Sequence, residues 1–289
     1  MGNQRGTCAE DVMVAVWIAV AAMLLATVTL AAVMIVNAFR KRIIAEEIFL
    51  STLPAGFDGF RILFITDIHR RRLPRALLAP LAGKVDAVFL GGDLTEKGNA
   101  PARLAENMKL AASLAPAYAV HGNHDYKANT ALADNIVRGS GIRLLMNENV
   151  FIEHNSQRLV LTGMDFPKQG GKKGYAPLPA APSRGTPYCR IILVHDPLWL
   201  SGQEAVAADL ILAGHTHGGQ VVLPFGLQMH ADPFYRTYNA GMYSIPRNDG
   251  SGAEASLLIS RGFGTAHLPL RWRSPAEMHV LTLRKESNI

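Results

Sequence analysis

Residues 61–69 read RILFITDIH: a short apolar run that ends directly on Asp67 and His69. Four more stretches repeat that plan. Residues 85–93 (VDAVFLGGD) end on Asp93, and residues 117–125 (AYAVHGNHD) end on Asn123, His124 and Asp125. Residues 190–196 (RIILVHD) end on His195, and residues 209–217 (DLILAGHTH) end on His215 and His217. A brief apolar run bounded by turn residues reads as a buried strand. Strands that carry polar ligands at their carboxyl ends, with helical stretches between them, imply a layered α/β protein whose site lies along one sheet edge.

The intervening segments fit that plan. Residues 102–114 place Leu104, Met108 and Ala111 at helical spacing after Asn99 and Pro101, a helix-start signal. Residues 129–138 form a second expected helix, with Leu132 and Ile136 on one face. Residues 256–260 and 279–283 are expected as strands of a second sheet. Residues 166–188 are rich in proline, glycine and lysine and show no hydrophobic period, which predicts a long loop between the third and fourth motifs.

The first forty-two residues are of another kind. Val12 to Val36 is uncharged, with Thr27 and Thr29 as its only hydroxyls. At 1.5 Å per residue such a helix spans roughly 37 Å, enough for a hydrocarbon core of about 30 Å. A cleaved leader has a shorter apolar stretch of about 7–15 residues, so an uncleaved membrane anchor over 1–42 is expected, followed by one domain over 43–289. Arg40, Lys41 and Arg42 follow the span, and the positive-inside rule then puts the domain in the cytoplasm. The whole chain carries 29 Lys and Arg against 23 Asp and Glu, a net charge of +6, with no basic run interleaved with aromatics. No nucleic-acid partner is therefore expected. The 2 cysteines are too few for a disulfide framework or a thiolate zinc site.

Imidazole and carboxylate side chains at this density are ligands for divalent metals. The Gly91-Gly92 turn lets backbone approach closely, and Asp93 after it can present one oxygen to each of two cations. Asn123 adds a neutral oxygen that limits negative charge in a crowded site. Arg70, Arg71, Arg72 and Arg75 follow the first motif, and guanidinium groups pair with phosphate oxygens.

The ordered motifs D-x-H, G-D, G-N-H-D, H and G-H-x-H resemble the calcineurin-like metallophosphoesterases over about residues 58–284. The stretch 214–220, Arg261 to Thr265 and Pro275 to Glu277 resemble its bacterial membrane-anchored branch. The resemblance implies a four-layer α-β-β-α sandwich with two divalent ions, manganese, iron or zinc, at the sheet edge. It assigns Asp67, His69 and His217 to one ion and Asn123, His195 and His215 to the other, with Asp93 bridging. His124 becomes the group that stabilises phosphate charge or protonates the leaving oxygen, and Asp125 its supporting partner.

The expected activity is hydrolysis of a phosphate ester or pyrophosphate bond. The anchor and the arginines favour a membrane-associated substrate such as a phospholipid or a UDP-diacylglucosamine-type lipid, the latter cleaved within the branch. The alternatives are a nuclease or nucleotide phosphodiesterase of the same fold, or a metal-binding scaffold without catalysis.

Overall fold

The computed structural model describes residues 4–167, 174–180, 188–203, 205–223, 232–248, 252–266 and 268–286. The chain opens with helix α1 (Gln4–Ala38), whose segment Glu10–Ala38 is long and apolar enough to cross a membrane and is exposed over most of its length, with Ala38 at its end buried against the domain. It extends two residues beyond the apolar run, into the first strand's approach. Strand β1 (Arg42–Leu50) follows almost at once, then β2 (Arg61–Ile65), the one-turn α2 (Arg75–Leu78) and β3 (Ala87–Leu90). Next come α3 (Pro101–Ala112), β4 (Ala117–Ala119), α4 (Asn123–Lys127), α5 (Thr130–Gly139) and β5 (Arg143–Leu144). The second half holds β6 (Glu148–His154), β7 (Gln157–Met164), β8 (Arg190–Val194), β9 (Leu210–Ala213), α6 (Phe234–Thr237), β10 (Gly241–Pro246), β11 (Glu254–Ile259) and β12 (Glu277–Lys285).

Among the described residues, twelve strands form two six-stranded sheets, ordered β1-β12-β2-β3-β4-β5 and β10-β11-β9-β8-β7-β6. Their facing sides share one apolar core, with Phe64, Phe89 and Leu281 from the first sheet against Leu161, Leu193 and Leu212 from the second. The outer side of the first sheet is covered by α3 and α5, where Leu104, Met108, Ala133 and Val137 pack on Leu63, Val88 and Leu90. The outer side of the second sheet has a thinner cover. Trp199 and Leu200 of a 3-10 turn, with Phe234 of α6, pack on Ile192, Val194 and Ile211. The expected four-layer α/β sandwich is present, with one helical layer formed, among the described residues, by single turns.

One expected strand lies elsewhere. Residues 279–283 fall in β12, which belongs to the first sheet, antiparallel to β2 and parallel to β1. Alternating burial identifies a strand but does not choose its neighbour, and here the partner β1 is more than 230 residues distant in the chain. The loop expected over 166–188 falls partly outside the described residues; Gly174 to Ala180 and the ends at Phe166, Pro167 and Tyr188 are described.

The β2-β3-β4 and β7-β8-β9 strands run parallel within their sheets. Their carboxyl ends therefore converge on one edge of the sandwich, where connecting loops bring side chains from distant sequence together. Helix α1 meets the domain near this edge. The Arg271 N–H donates to the Met34 carbonyl at 3.0 Å, and the Ala276 N–H to the Asn37 carbonyl at 3.0 Å.

Candidate metal centre

All seven expected ligands come together at that edge, in two groups. In the first, His217 Nε2 lies 3.1 Å from His69 Nε2 and 3.4 Å from Asp67 Oδ1. In the second, Asn123 Oδ1 lies 3.3 Å from His195 Nε2 and 3.1 Å from His215 Nδ1, and the two imidazole nitrogens are 3.2 Å apart. Asp93 Oδ2 stands between the groups, 3.6 Å from His69 Nε2 and 3.4 Å from His195 Nε2. Metal–ligand bonds of roughly 2.0–2.2 Å place neighbouring ligand atoms about 3.0 Å apart in an octahedron and about 3.4 Å apart in a tetrahedron. The observed spacings match those edges. Imidazole nitrogens and amide or carboxylate oxygens aimed at one point also lack enough hydrogens to satisfy each other, so the donor set fits divalent cations.

The Asp93 side chain is oriented differently in detail from the sequence expectation. Asp93 turns one oxygen, Oδ2, toward both groups, while Oδ1 accepts the His124 backbone N–H at 2.7 Å. That hydrogen bond leaves a single oxygen to be shared.

Local backbone geometry makes this convergence possible at some energetic cost. Asp67, His69, Asp93, His215 and His217 have φ of 55°, 51°, 50°, 67° and 49°, in the left-handed region that side chains other than glycine rarely enter. Such conformations cost of order 1–3 kcal/mol each and persist where the surrounding structure over-determines them. Two glycines make room. Gly92 has φ +87°, and a Cβ there would meet His195 Nδ1 at 2.6 Å; a Cβ on Gly122 would lie 2.2 Å from Asp93 Oδ1.

A second ring of contacts orients the imidazoles. His195 Nδ1 faces the Gly91 carbonyl at 2.8 Å, which suits a proton on Nδ1 and leaves Nε2 turned to the centre. Glu96 Oε2 lies 3.0 Å from His69 Nδ1 and does the same for that ring. Asp196 Oδ2 lies 3.7 Å from His215 Nε2, and Asp196 is itself held by the Tyr235 hydroxyl at 2.9 Å. The fully buried Arg271 reaches His217 Nδ1 at 3.1 Å and donates to the carbonyls of Ser274, Arg261 and Gly262. Glu96 and Arg271 were not read from the sequence. The three-residue step from Asp93 to Glu96 was a usable signal; nothing local marks Arg271. Phe166, at the start of the expected long loop, walls the second group with ring centroids 6.0 Å from His195 and 6.4 Å from His215.

His124 sits beside the first group, edge-on to His69 with centroids 4.8 Å apart and Nδ1 3.9 Å from Glu96 Oε2. Burial lowers its pKa below the ordinary imidazole value, against the pull of Asp93. Asp125 is buried, and its two oxygens accept the backbone N–H groups of Thr95 and Gly122, at 2.9 and 2.8 Å. It thereby ties the Asp93 loop to the Asn123 loop. Burial, reinforced by the negative charge of Asp93, raises its carboxyl to about 6.

The arginines separate in space. Arg70 is exposed, pairs through Nε with Glu96 and donates to the Lys97 carbonyl. Arg72 pairs with Glu106 on the surface at 2.7 Å. Arg71 points away from the ligands: its guanidinium donates to the carbonyls of Ala38, Phe39 and Arg40 at the end of α1 and lies 3.7 Å from the Phe263 ring centroid.

A family model of the calcineurin-like phosphoesterases matches residues 60–219, more than half of the chain and a stretch that includes the seven expected ligand residues. The chain belongs to the calcineurin-like phosphoesterase family. An uncharacterised Bacillus subtilis (strain 168) protein, YpbG, is 32% identical over 231 residues, covering 79% of this chain and 82% of that protein. The Escherichia coli (strain K12) phosphodiesterase YaeI is 28% identical over 235 residues, 78% of this chain and 82% of its own. A zebrafish (Danio rerio) transmembrane protein with a metallophosphoesterase domain is 26% identical over 286 residues, 91% of this chain and 62% of its own. The family and the clustered His and Asp ligands together describe a metal-dependent phosphoesterase.

Proposed function

We propose that the chain is a membrane-anchored hydrolase that holds two divalent cations and cleaves a phosphodiester or related phosphoryl ester. The observation that carries this reading is the single Asp93 oxygen turned to both ligand groups, each of which has two imidazoles and one oxygen donor besides it. Bound cations would supply Lewis acidity toward phosphoryl oxygens and a water made nucleophilic at neutral pH.

The chain's own residues do the rest. Glu96 and the Gly91 carbonyl lie 3.0 and 2.8 Å from the outer nitrogens of His69 and His195 and favour the orientation in which each ring turns Nε2 to the centre, so less reorganisation is needed during the reaction. His124 stands beside the first group, placed to pass a proton to the departing ester oxygen, work an imidazole can do near neutral pH. Asp125 fixes the loops on both sides of it.

Helix α1 is the membrane anchor in this reading. Its length and composition support that, as does the similarity to a protein named as transmembrane. The hydrogen bond from Arg271 to Met34 supports a centre held close beneath the bilayer, since the same arginine touches His217. A substrate in or at the bilayer, such as a phospholipid or other phosphoryl lipid, fits that placement, with the domain on the cytoplasmic side of a bacterial plasma membrane. The test is hydrolysis by the purified full chain in detergent, stripped with a chelator and reloaded with manganese or zinc. Turnover of bis(4-nitrophenyl) phosphate that returns with metal, and lipid hydrolysis in vesicles, are expected. A chelator-resistant activity, or none with any divalent metal, would overturn the reading.

A further inference from the structure

Beside the metal centre, between the amino ends of α3 and α5, lies a cavity of about 380 Å³. That is within the size range of small-molecule sites. Its walls include Leu104, Leu132 and Ile136, which are apolar, and Lys97, Lys127 and Asn99, which are not. Glu96 is a shared wall: the carboxylate that contacts His69 and approaches His124 also lines the cavity. Lys127 lies about one helical turn after His124 on α4. The cavity therefore adjoins, across Glu96, the flank of the centre where His124 stands.

Its chemistry is uneven in an informative way. Lys97 and Lys127 are exposed, and neither ammonium has a carboxylate partner among the described residues. Glu96 is the one acid in the wall, and it is already engaged by His69 and Arg70. The amino ends of α3 and α5 add their partial positive charge, and Ala100, which precedes α3, gives it no side-chain cap. Asn99 donates to the His69 carbonyl and to Thr95 Oγ1, while its Oδ1 is buried in the wall without a donor. The cavity thus offers an apolar floor, a cationic rim and one acceptor awaiting a hydrogen.

We propose that this cavity is the leaving-group subsite and favours an alcohol with an apolar body that bears a second anionic group. The inference rests on the phosphoesterase reading. In the reaction, water oxygen bonds to phosphorus, the bond from phosphorus to the ester oxygen breaks, and that oxygen takes a proton as the alcohol departs into the cavity.

The experiment uses two methyl aryl phosphodiesters whose leaving groups have matched pKa, one phenyl and uncharged, one naphthyl with a carboxylate. The full chain should show a KM about ten-fold lower for the naphthyl carboxylate. Lys97→Ala should shrink that preference about two- to five-fold, the scale of an exposed charge pair. Leu132→Asp should abolish it by placing an anion in the apolar wall, and an unchanged Tm at this 40% exposed position separates that effect from loss of the fold. Binding of the fluorescent naphthol carboxylate to the same proteins supplies a readout independent of catalysis. Failure to cleave either ester would sink the phosphoesterase reading, whereas cleavage of both with equal KM, or naphthol binding untouched by Leu132→Asp, would overturn the subsite alone. A monomeric single-chain lipid phosphate and a nucleoside monophosphate serve as competitors. Displacement by either supports the subsite and identifies the source of the body as lipid or soluble; displacement by neither counts against it.

Discussion

Glu96 offers the sharpest mutational probe of the centre. Its Oε2 lies 3.0 Å from His69 Nδ1, the ring is 1% exposed and the carboxylate 13%, so the contact is little weakened by water. The close contact with the His69 ring is the main influence holding the Glu96 carboxyl below its ordinary pKa. Glu96→Gln keeps an oxygen that can accept from Nδ1 but removes the charge. A hydrogen bond to a charged group contributes about 1.5–3 kcal/mol and a neutral one about 0.5–1.5, so the exchange costs His69 roughly 1 kcal/mol. That corresponds to a loss of about five-fold in affinity for the first cation. Glu96→Ala removes the partner altogether, and the expected loss rises to about 10–100-fold. Competition against a chromophoric chelator reads both values, and the order wild type, Gln, Ala is as important as their size. Metal affinity unchanged in both variants would refute the view that Glu96 orients a ligand. So would equal losses at both cations, because Glu96 contacts none of the second group in the structure.

Three further outcomes follow from other parts of the molecule. His124→Ala should keep its metal while turnover falls by about 10²–10⁴, with partial recovery on esters of low leaving-group pKa; metal loss in parallel with activity would make His124 a ligand instead. Arg71→Ala removes the cap on α1 and the stacking on Phe263 and should cost about 2–4 kcal/mol of stability, read as a lower Tm in detergent. An unchanged Tm with a raised KM would return Arg71 to the substrate. His279, buried between Glu277 and Glu46, has a raised pKa: burial opposes the charge, but hydrogen bonds to both carboxylates outweigh it. Its contribution is thus full below the unfolded value of about 6.5 and fades as pH rises through the folded value. His279→Gln should therefore lower Tm more at pH 5.5 than at pH 9, and an equal drop at both would contradict the charged form.

The strands that carry ligands were legible because each is an unbroken apolar run stopped by a glycine, histidine or aspartate. β1 was not, since RIIAEEIFL mixes two glutamates into an edge strand whose outer side meets solvent. The β6-β7 hairpin was overlooked for a related reason: its first strand alternates exposed and buried residues around Asn149, Glu153 and His154. The ligand residues themselves stand in motifs, so the site was visible as chemistry before it was visible as geometry. What motifs do not carry is the long-range support. Arg271 reaches His217 across 54 residues and Arg71 reaches Phe263 across 192, contacts that only the folded chain creates. Arg71 reads as one of three adjacent arginines, yet the fold gives each a different neighbour.

The central claim is that one Asp93 oxygen joins two cation sites in a single hydrolytic centre. Metal content per chain, measured on the purified full-length protein and on Asp93→Ala with phosphodiester hydrolysis followed in the same samples, tests it most directly. Two equivalents in the parent, with loss of metal and of nearly all turnover in Asp93→Ala, is the predicted result. Two equivalents retained by Asp93→Ala with turnover near that of the parent would contradict it.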